Sequence, residues 1–468
     1  MHKIGLAFLS LSLCAAVSLS ALEFSFGTTA TVRTDAAADT SASKNDFVEA
    51  TAGVSYDSEG FRMVWDLGFS TEREYPADFL GGFDTGFSID ILEAGMSYMG
   101  GPFTLSLGKL ENKDVVDSPY ALFISGADRK AMLGSIKFED DHFFFEDRWI
   151  GLNHNLKSGI YNSEDTASVY EDRGAVLKTY GLKFGRLRLG FEDAVVFTGE
   201  YFNPDFFANP APTFYVQYVA KAAGRPWTRS GDQNAIMGFF GDYRADNWSA
   251  YAQLLVDDFN LNRFINPSSY QNPDKLAFSA GGTWDSPIGK LGIYAAGATR
   301  YTFESIGSSF YSYTYYPASA VISDGEYIGI PLSEAMLGYV HGENNLSTMA
   351  TWGRALSPKF GLGASLELSL TGEQSPANPW HNMANFDYTR WLDDSVLEKK
   401  VVLGGGASYR IGAFLLSASG KIGWVQNRLS LVTVTDDGDG SAEPIWEPSS
   451  YSGLIGELTI GVQYTFGL

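Results

Sequence analysis

The chain has 468 residues, of which 15% are Phe, Tyr or Trp, 51 are Gly and one is Cys, and its net charge is −22. Its mean hydropathy of −0.08 excludes a bundle of apolar transmembrane helices, each of which needs about 20 mostly apolar residues. The aromatic content excludes a disordered chain, and the acidic balance disfavours nucleic acid, whose phosphates require clustered Lys and Arg.

His2 and Lys3 precede an apolar stretch from Ile4 to Val17, and Ser18, Ser20 and Ala21 follow. This layout predicts a secretory signal peptide over 1–21, cleaved after Ser20 or Ala21. The sole Cys, Cys14, then leaves with it. Leu11-Ser12-Leu13-Cys14 loosely resembles a lipobox, but Leu13 stands where a small residue is needed, so lipidation at Cys14 is disfavoured. An exported chain without disulfides must satisfy its backbone by size and topology.

From Leu22 onward, period-two alternation recurs to the end. Leu187, Leu189 and Phe191 alternate with Arg186, Arg188, Gly190 and Glu192. Leu362, Ala364, Leu366, Leu368 and Leu370 alternate with Gly361, Gly363, Ser365, Glu367 and Ser369. At the C-terminus, Leu458, Ile460, Val462, Tyr464 and Phe466 oppose Glu457, Thr459, Gly461, Gln463 and Thr465. One face is lipid-like and the other small and polar. Short turns are expected near 57–60, 100–102, 140–141, 185, 245–247, 285–289, 357–358 and 411–412. Between consecutive turns there is room for two strands of about 9–11 residues and one longer loop. Eight short turns and nine long loops predict 18 strands over 22–468. The expected fold is all-β: a transmembrane antiparallel up-and-down barrel with short periplasmic turns and long outer loops, in the cell outer membrane. Closure leaves no unpaired edge in lipid. The amphipathic C-terminal strand suits recognition by barrel-insertion machinery. A multidomain β-sandwich would need linkers, and a propeller or β-helix a fixed repeat; neither is found.

Catalytic chemistry is poorly supplied. His142, His154, His341 and His381 form no H-E-x-x-H pair, there is no G-x-S-x-G elbow, and the pairs Asp140-Asp141, Asp257-Asp258 and Asp393-Asp394 would point to opposite faces on a strand. Asp257-Asp258 is read as a strand-end pair at the polar interface. Asp436-Asp437-Gly438-Asp439-Gly440 lacks the later residues of a calcium loop and reads as solvated surface. No enzyme activity, cofactor or metal is expected. Aromatic loop residues are the better hint, because flat rings stack on sugar faces while neighbouring polar groups give directional bonds. Trp227 with Arg225 and Arg229, and Trp380 and Trp391 with Arg390, are the candidate ligand residues. Tyr311, Tyr313, Tyr315 and Tyr316 form a further cluster. An interfacial aromatic girdle competes for any single ring.

The segments Ser118-Pro119-Tyr120-Ala121-Leu122-Phe123-Ile124-Ser125, Phe138-Glu139-Asp140-Asp141-His142-Phe143-Phe144-Phe145-Glu146-Asp147-Arg148, Phe191-Glu192-Asp193-Ala194-Val195-Val196-Phe197 with Asn203-Pro204, and Tyr251 to Asp257-Asp258-Phe259 together resemble the capsule-assembly (Wzi) family of outer-membrane proteins. The resemblance covers about a third of the chain, and Asp257, Asp258 and Phe259 are its most specific piece. It implies an 18-stranded barrel that binds and organises surface polysaccharide, capsule or exopolysaccharide, as a lectin without catalysis. No helical segment precedes the first strand, as it does in some family members, so any plug must come from folded-in loops. No individual sugar-binding residue carries over. An acidic glycan would need local cations such as Arg225, Arg229 and Arg390 to offset repulsion. The alternative reading is a general or cation-preferring porin. The expected partners are surface polysaccharide, outer-membrane lipids and the insertion machinery.

Overall fold

The structure, a computed structural model, describes residues 22–35, 46–72, 87–126, 129–155, 170–222, 233–266, 273–304, 312–317, 320–323, 326–374, 389–435 and 442–467. Eighteen antiparallel strands form one closed sheet in which sequence neighbours pair, and two short hairpins, Ala320–Ser323 with Glu326–Gly329 and Leu429–Thr435 with Ala442–Pro448, stand in the loops. The ring closes where Leu22–Asp35 meets Gly453–Gly467, from Glu23 opposite Gly467 to Asp35 opposite Ile455. The fold is therefore the expected up-and-down barrel of outer-membrane type. The signal peptide over 1–21, with Cys14, lies outside the described residues, as does the acidic segment 436–440.

The eight short connections fall where alternation marks them, after Ser58, Gly100, Glu139, Phe184, Arg244, Ser286, Ser357 and Ile411. Gly60, Gly101, Gly185 and Gly412 turn with φ between 59° and 75°, a region that costs glycine nothing. Outward rings gather at this rim. Phe24 stacks on Phe466 at 5.3 Å, Phe414 meets Tyr464 at 4.8 Å, and Tyr243 meets Trp248 at 5.1 Å. These rings make the aromatic girdle that a lipid interface favours.

The wall is not uniform. Every residue from Arg173 to Thr179 and from Glu192 to Thr198 is buried, so these strands are covered on both faces. Ala175, Leu177, Ala194 and Val196 pack inward against Tyr120, Leu122, Phe123 and Ile124, which belong to a loop folded into the lumen. Their alternate neighbours Val176, Val195 and Phe197 pack outward with Trp149, Phe206 and Val216. A second inward loop interlocks with the first: Tyr313 Oη donates to the Phe123 carbonyl at 2.9 Å, and Ser125 N donates to the Leu337 carbonyl at 2.8 Å. The plug thus comes from loops. On the opposite wall the inward side chains are small, and Ser417, Ser419 and Gln463 remain exposed to the lumen. Among the described residues, the plug packs on one side of the barrel and does not cover Ser417, Ser419 and Gln463 on the other.

Candidate binding site in the barrel lumen

Buried polar groups fix the plug. Asp114 Oδ2 accepts the backbone N–H groups of Phe123 (3.0 Å) and Ile124 (2.9 Å), and its Oδ1 accepts Val116 N–H (3.0 Å). Burial pushes the Asp114 carboxyl above its ordinary range, against the pull of these donors. On the barrel wall, Gln253 donates to Asp114 Oδ1 at 3.0 Å and Glu192 Oε2 at 2.6 Å while accepting Leu122 N–H at 2.8 Å. Arg148 holds Glu146 through two nitrogens, at 2.9 and 2.7 Å, and reaches Asn112 Oδ1 at 2.7 Å. These bonds tie the first inward loop to three strands.

Asp257 departs from the expected solvated strand-end pair. The register shifts between Val256 and Asp258, a bulge that leaves Asp257 without a cross-strand partner, and bulges re-aim side chains. Its side chain is fully buried 3.1 Å from Lys275 Nζ, and Oδ2 accepts Phe303 N–H at 2.7 Å. Phe303 has φ of 79° and the nearby Tyr301 has 71°, a conformation that bulky residues adopt only when held. Asp257 is thus a fastener for the second inward loop. Phe259 lies outside this network, half-exposed and stacked on Phe264.

Beyond the plug, a chamber of about 560 Å³ lies between the inward segment bearing Pro331, Val340 and His341, the small-residue wall, and the hairpin Leu429–Pro448. The wall contributes Arg33, Lys400, Lys421 and Glu457, and the hairpin contributes Trp446. Glu457 is shared by Arg33 at 3.0 Å and Lys421 at 3.3 Å. Lys400 has no carboxylate within 4.0 Å among the described residues. Trp446 Nε1 is buried without a hydrogen-bond partner among them. His341 Nε2 lies 2.7 Å from Glu367 Oε1, which also accepts from Tyr120 Oη at 2.7 Å. Glu334 and Glu398 also line the chamber, and Arg33 is further paired with Glu72 at 2.8 Å, so an aromatic ring stands beside charges of both signs, a lining that suits a hydroxyl-rich ligand. Among the described residues no cluster of three His, Cys, Asp or Glu could hold a metal.

Arg225, Trp227, Arg229, Trp380 and His381 lie outside the described residues. Arg390 Nε donates to Asp393 at 2.9 Å, and its carbonyl accepts Arg300 N–H. Trp391 packs edge-to-face on the outward Phe278 and donates to the Asn345 carbonyl at 3.1 Å, a girdle-like position. The structure does not bring Trp391 or Arg390 to the chamber. Tyr313, Tyr315 and Tyr316 are plug residues, with Arg129 4.1 Å over Tyr315. Trp446 had a readable signal: it sits between Pro444 and Pro448, across a Gly-Asp-Gly turn from the alternating 429–435. It lacks the adjacent Arg that singled out the other tryptophans.

No family model matches the chain, and no curated protein matches it. Solved structures do. Wzi of Escherichia coli, described as an outer membrane protein involved in group 1 capsule assembly and a carbohydrate-binding β-barrel, aligns over 99% of this chain and 88% of its own, at 12% identity and a TM-score of 0.54. OccAB4 of Acinetobacter baumannii aligns over 96% and 98% at 10% identity with a TM-score of 0.45, and a BenF-like porin of Pseudomonas fluorescens over 96% and 98% at 8% and 0.45. The likeness to Wzi shows a shared fold, as the sequence resemblance implies.

Proposed function

We propose that this barrel sits in the outer membrane and binds surface polysaccharide without chemistry, holding a segment of it in the lumenal chamber. The chamber carries the reading: it joins the Trp446 ring, the Lys400 ammonium and a polar wall in one space of about 560 Å³. The likeness to a carbohydrate-binding barrel supports it. The loop residues Arg225, Trp227, Arg229 and Trp380 are proposed as outer contacts, with a cleaved signal peptide for export. The C-terminal strand Gly453–Gly467 is the proposed contact for insertion machinery. Titration of the purified protein with charged and neutral capsule fragments, followed by tryptophan fluorescence, tests the reading. Saturable binding lost in Trp446→Phe and Lys400→Ala supports it; binding unchanged in both removes the chamber.

A second reading, a diffusion channel, is favoured by one observation, the lumen-exposed Ser417, Ser419 and Gln463 beside the plug. Planar-bilayer conductance separates the two. A steady open pore with no glycan binding sinks the first.

A further inference from the structure

Three charged side chains lie on the outer face of the wall, where a membrane barrel ordinarily presents apolar groups. Lys178 is paired across the sheet with Asp147 on one side and Asp193 on the other. Their alternate neighbours Val176, Val195 and Trp149 belong to the outer cluster, whereas Leu177 and Ala194 belong to the lumenal one, so the three charges point outward. The same rows continue to Ile136, paired with Asp147, and Met237, paired with Asp193. Ile136 and nearby Phe239 are exposed outward apolar residues. The charges therefore lie level with the apolar belt, yet the Lys178 and Asp193 side chains have no exposure.

The segment that covers them leaves the barrel at Thr198 and runs down the outside through two helical turns, Pro204–Phe207 and Thr213–Ala222. In hydrocarbon every backbone donor and acceptor must be met, and this segment reduces that demand by two means. Pro204, Pro210 and Pro212 have no N–H to satisfy. The wall's side chains take the groups that no helix uses: Lys178 Nζ donates to the carbonyls of Asn209 and Ala211 (2.8 Å), Tyr180 Oη donates to that of Pro210 at 2.9 Å, and Asp193 accepts Thr213 N–H and, at 2.7 Å, Thr213 Oγ1. Asn203 caps the first helix through Asp205 N–H and Phe206 N–H. From Phe206 to Ala220 the sequence has no charged residue; Glu200, Asp205 and Lys221 flank this stretch. Tyr215 and Phe202 stand outward, 57% and 44% exposed.

We propose that residues 206–220 form a strap immersed in the leaflet on the long-loop side, Tyr215 packed against lipid acyl chains and the backbone held by Lys178, Tyr180 and Asp193. The occupant is lipid because the level is that of the belt, residues 206–220 are uncharged, and the carbonyls of Asn209, Pro210 and Ala211 and the Thr213 N–H are taken by the wall's side chains. This rests on the outer-membrane placement proposed above and is independent of glycan binding.

The test is fluorescence quenching of single-cysteine, bimane-labelled protein in phosphatidylcholine vesicles, in a Cys14→Ser background. Tyr215→Cys is compared with Ile293→Cys, on the bare wall and 72% exposed, and with Asp246→Cys in a short turn. Quenching of the 215 label by doxyl-lipid to an extent like that at 293, with several-fold less iodide quenching than at 246, is expected. Iodide quenching at 215 like that at 246, or no quenching by either agent, overturns the strap; the second outcome would indicate a protein cover instead. Absence of lipid quenching at 293 would overturn the membrane placement itself. Lys178→Met and Thr213→Val, in folded heat-modifiable protein, are expected to raise iodide access at 215 several-fold. Unchanged access in both overturns the anchoring role.

Discussion

Gln253 and Asp114, 139 residues apart, meet through a 3.0 Å hydrogen bond inside the barrel, and this amide also separates Asp114 from the Glu192 carboxylate. Wall and plug are thus joined by a neutral bridge between two acids. Replacing it leaves the two carboxylates without the amide between them, Asp114 keeping its backbone donors. A buried hydrogen bond to a charged group contributes about 1.5–3 kcal/mol, so Gln253→Ala is expected to loosen the loop over 112–126 while the barrel still assembles. Single-channel recording checks this: more frequent or larger openings than in the wild type are expected, with the heat-modifiable band retained. Gln253→Ala traces that match the wild type would dismiss the bridge as a determinant of closure.

A second fastener is Arg173, wholly buried, whose guanidinium donates to the carbonyls of Ser312 at 2.7 Å and Thr314 at 3.1 Å. Arg173→Met keeps the volume but leaves these acceptors dry, at about 1–3 kcal/mol each. Amide hydrogen exchange should accelerate at Tyr313 and Tyr315, by about tenfold or more, with strand amides unaffected. Exchange that stays slow at both tyrosines would count against this role.

The barrel was legible because its signal is periodic. Alternation at Leu458 through Phe466 and the turn residues at 60, 101, 185 and 412 specify faces and hairpins locally. The lumenal contents were not, because they depend on pairs far apart in sequence. Asp257 reads as one of two adjacent acids, and only the bulge between Val256 and Asp258 turns it toward Phe303. The strands bearing Lys178 and Asp193 are covered on both sides, so charges that alternation assigns to the lipid face lie beneath a loop. Trp446 escaped notice because its cavity is assembled from segments near residues 33, 331–341, 400, 421 and 446.

Gly108 provides a strict test of the register between Ser88–Gly100 and Phe103–Glu111. Its φ is 132°, and a Cβ there would lie 2.3 Å from the Ala94 carbonyl oxygen and 2.5 Å from Gly95 Cα. Both contacts are backbone of the one adjacent strand, which cannot yield as a flexible side chain could. Gly108→Ala should abolish heat-modifiable folding or lower the melting temperature by about 5 °C, since the shift per kcal/mol falls as the chain lengthens. Gly363→Ala, whose nearest neighbour would be the Trp352 carbonyl oxygen at 3.6 Å, should fold as the wild type does. Equal tolerance at both positions would show that the strands can slip.

The unfilled side of the lumen predicts opposite outcomes for neighbouring residues on one strand. Ser419 faces inward, opposite Gly406 and Thr459, and Ala418 faces lipid opposite Ala407 and Ile460. Ser419→Trp adds an indole to an exposed stretch of the inner wall, whereas Ala418→Trp adds it to the bilayer side. If glycan or ions use that space, Ser419→Trp lowers conductance and oligosaccharide uptake several-fold, and Ala418→Trp changes neither. Matching effects at the two positions would place the ligand outside the barrel, on the loops that carry Trp227 and Trp380.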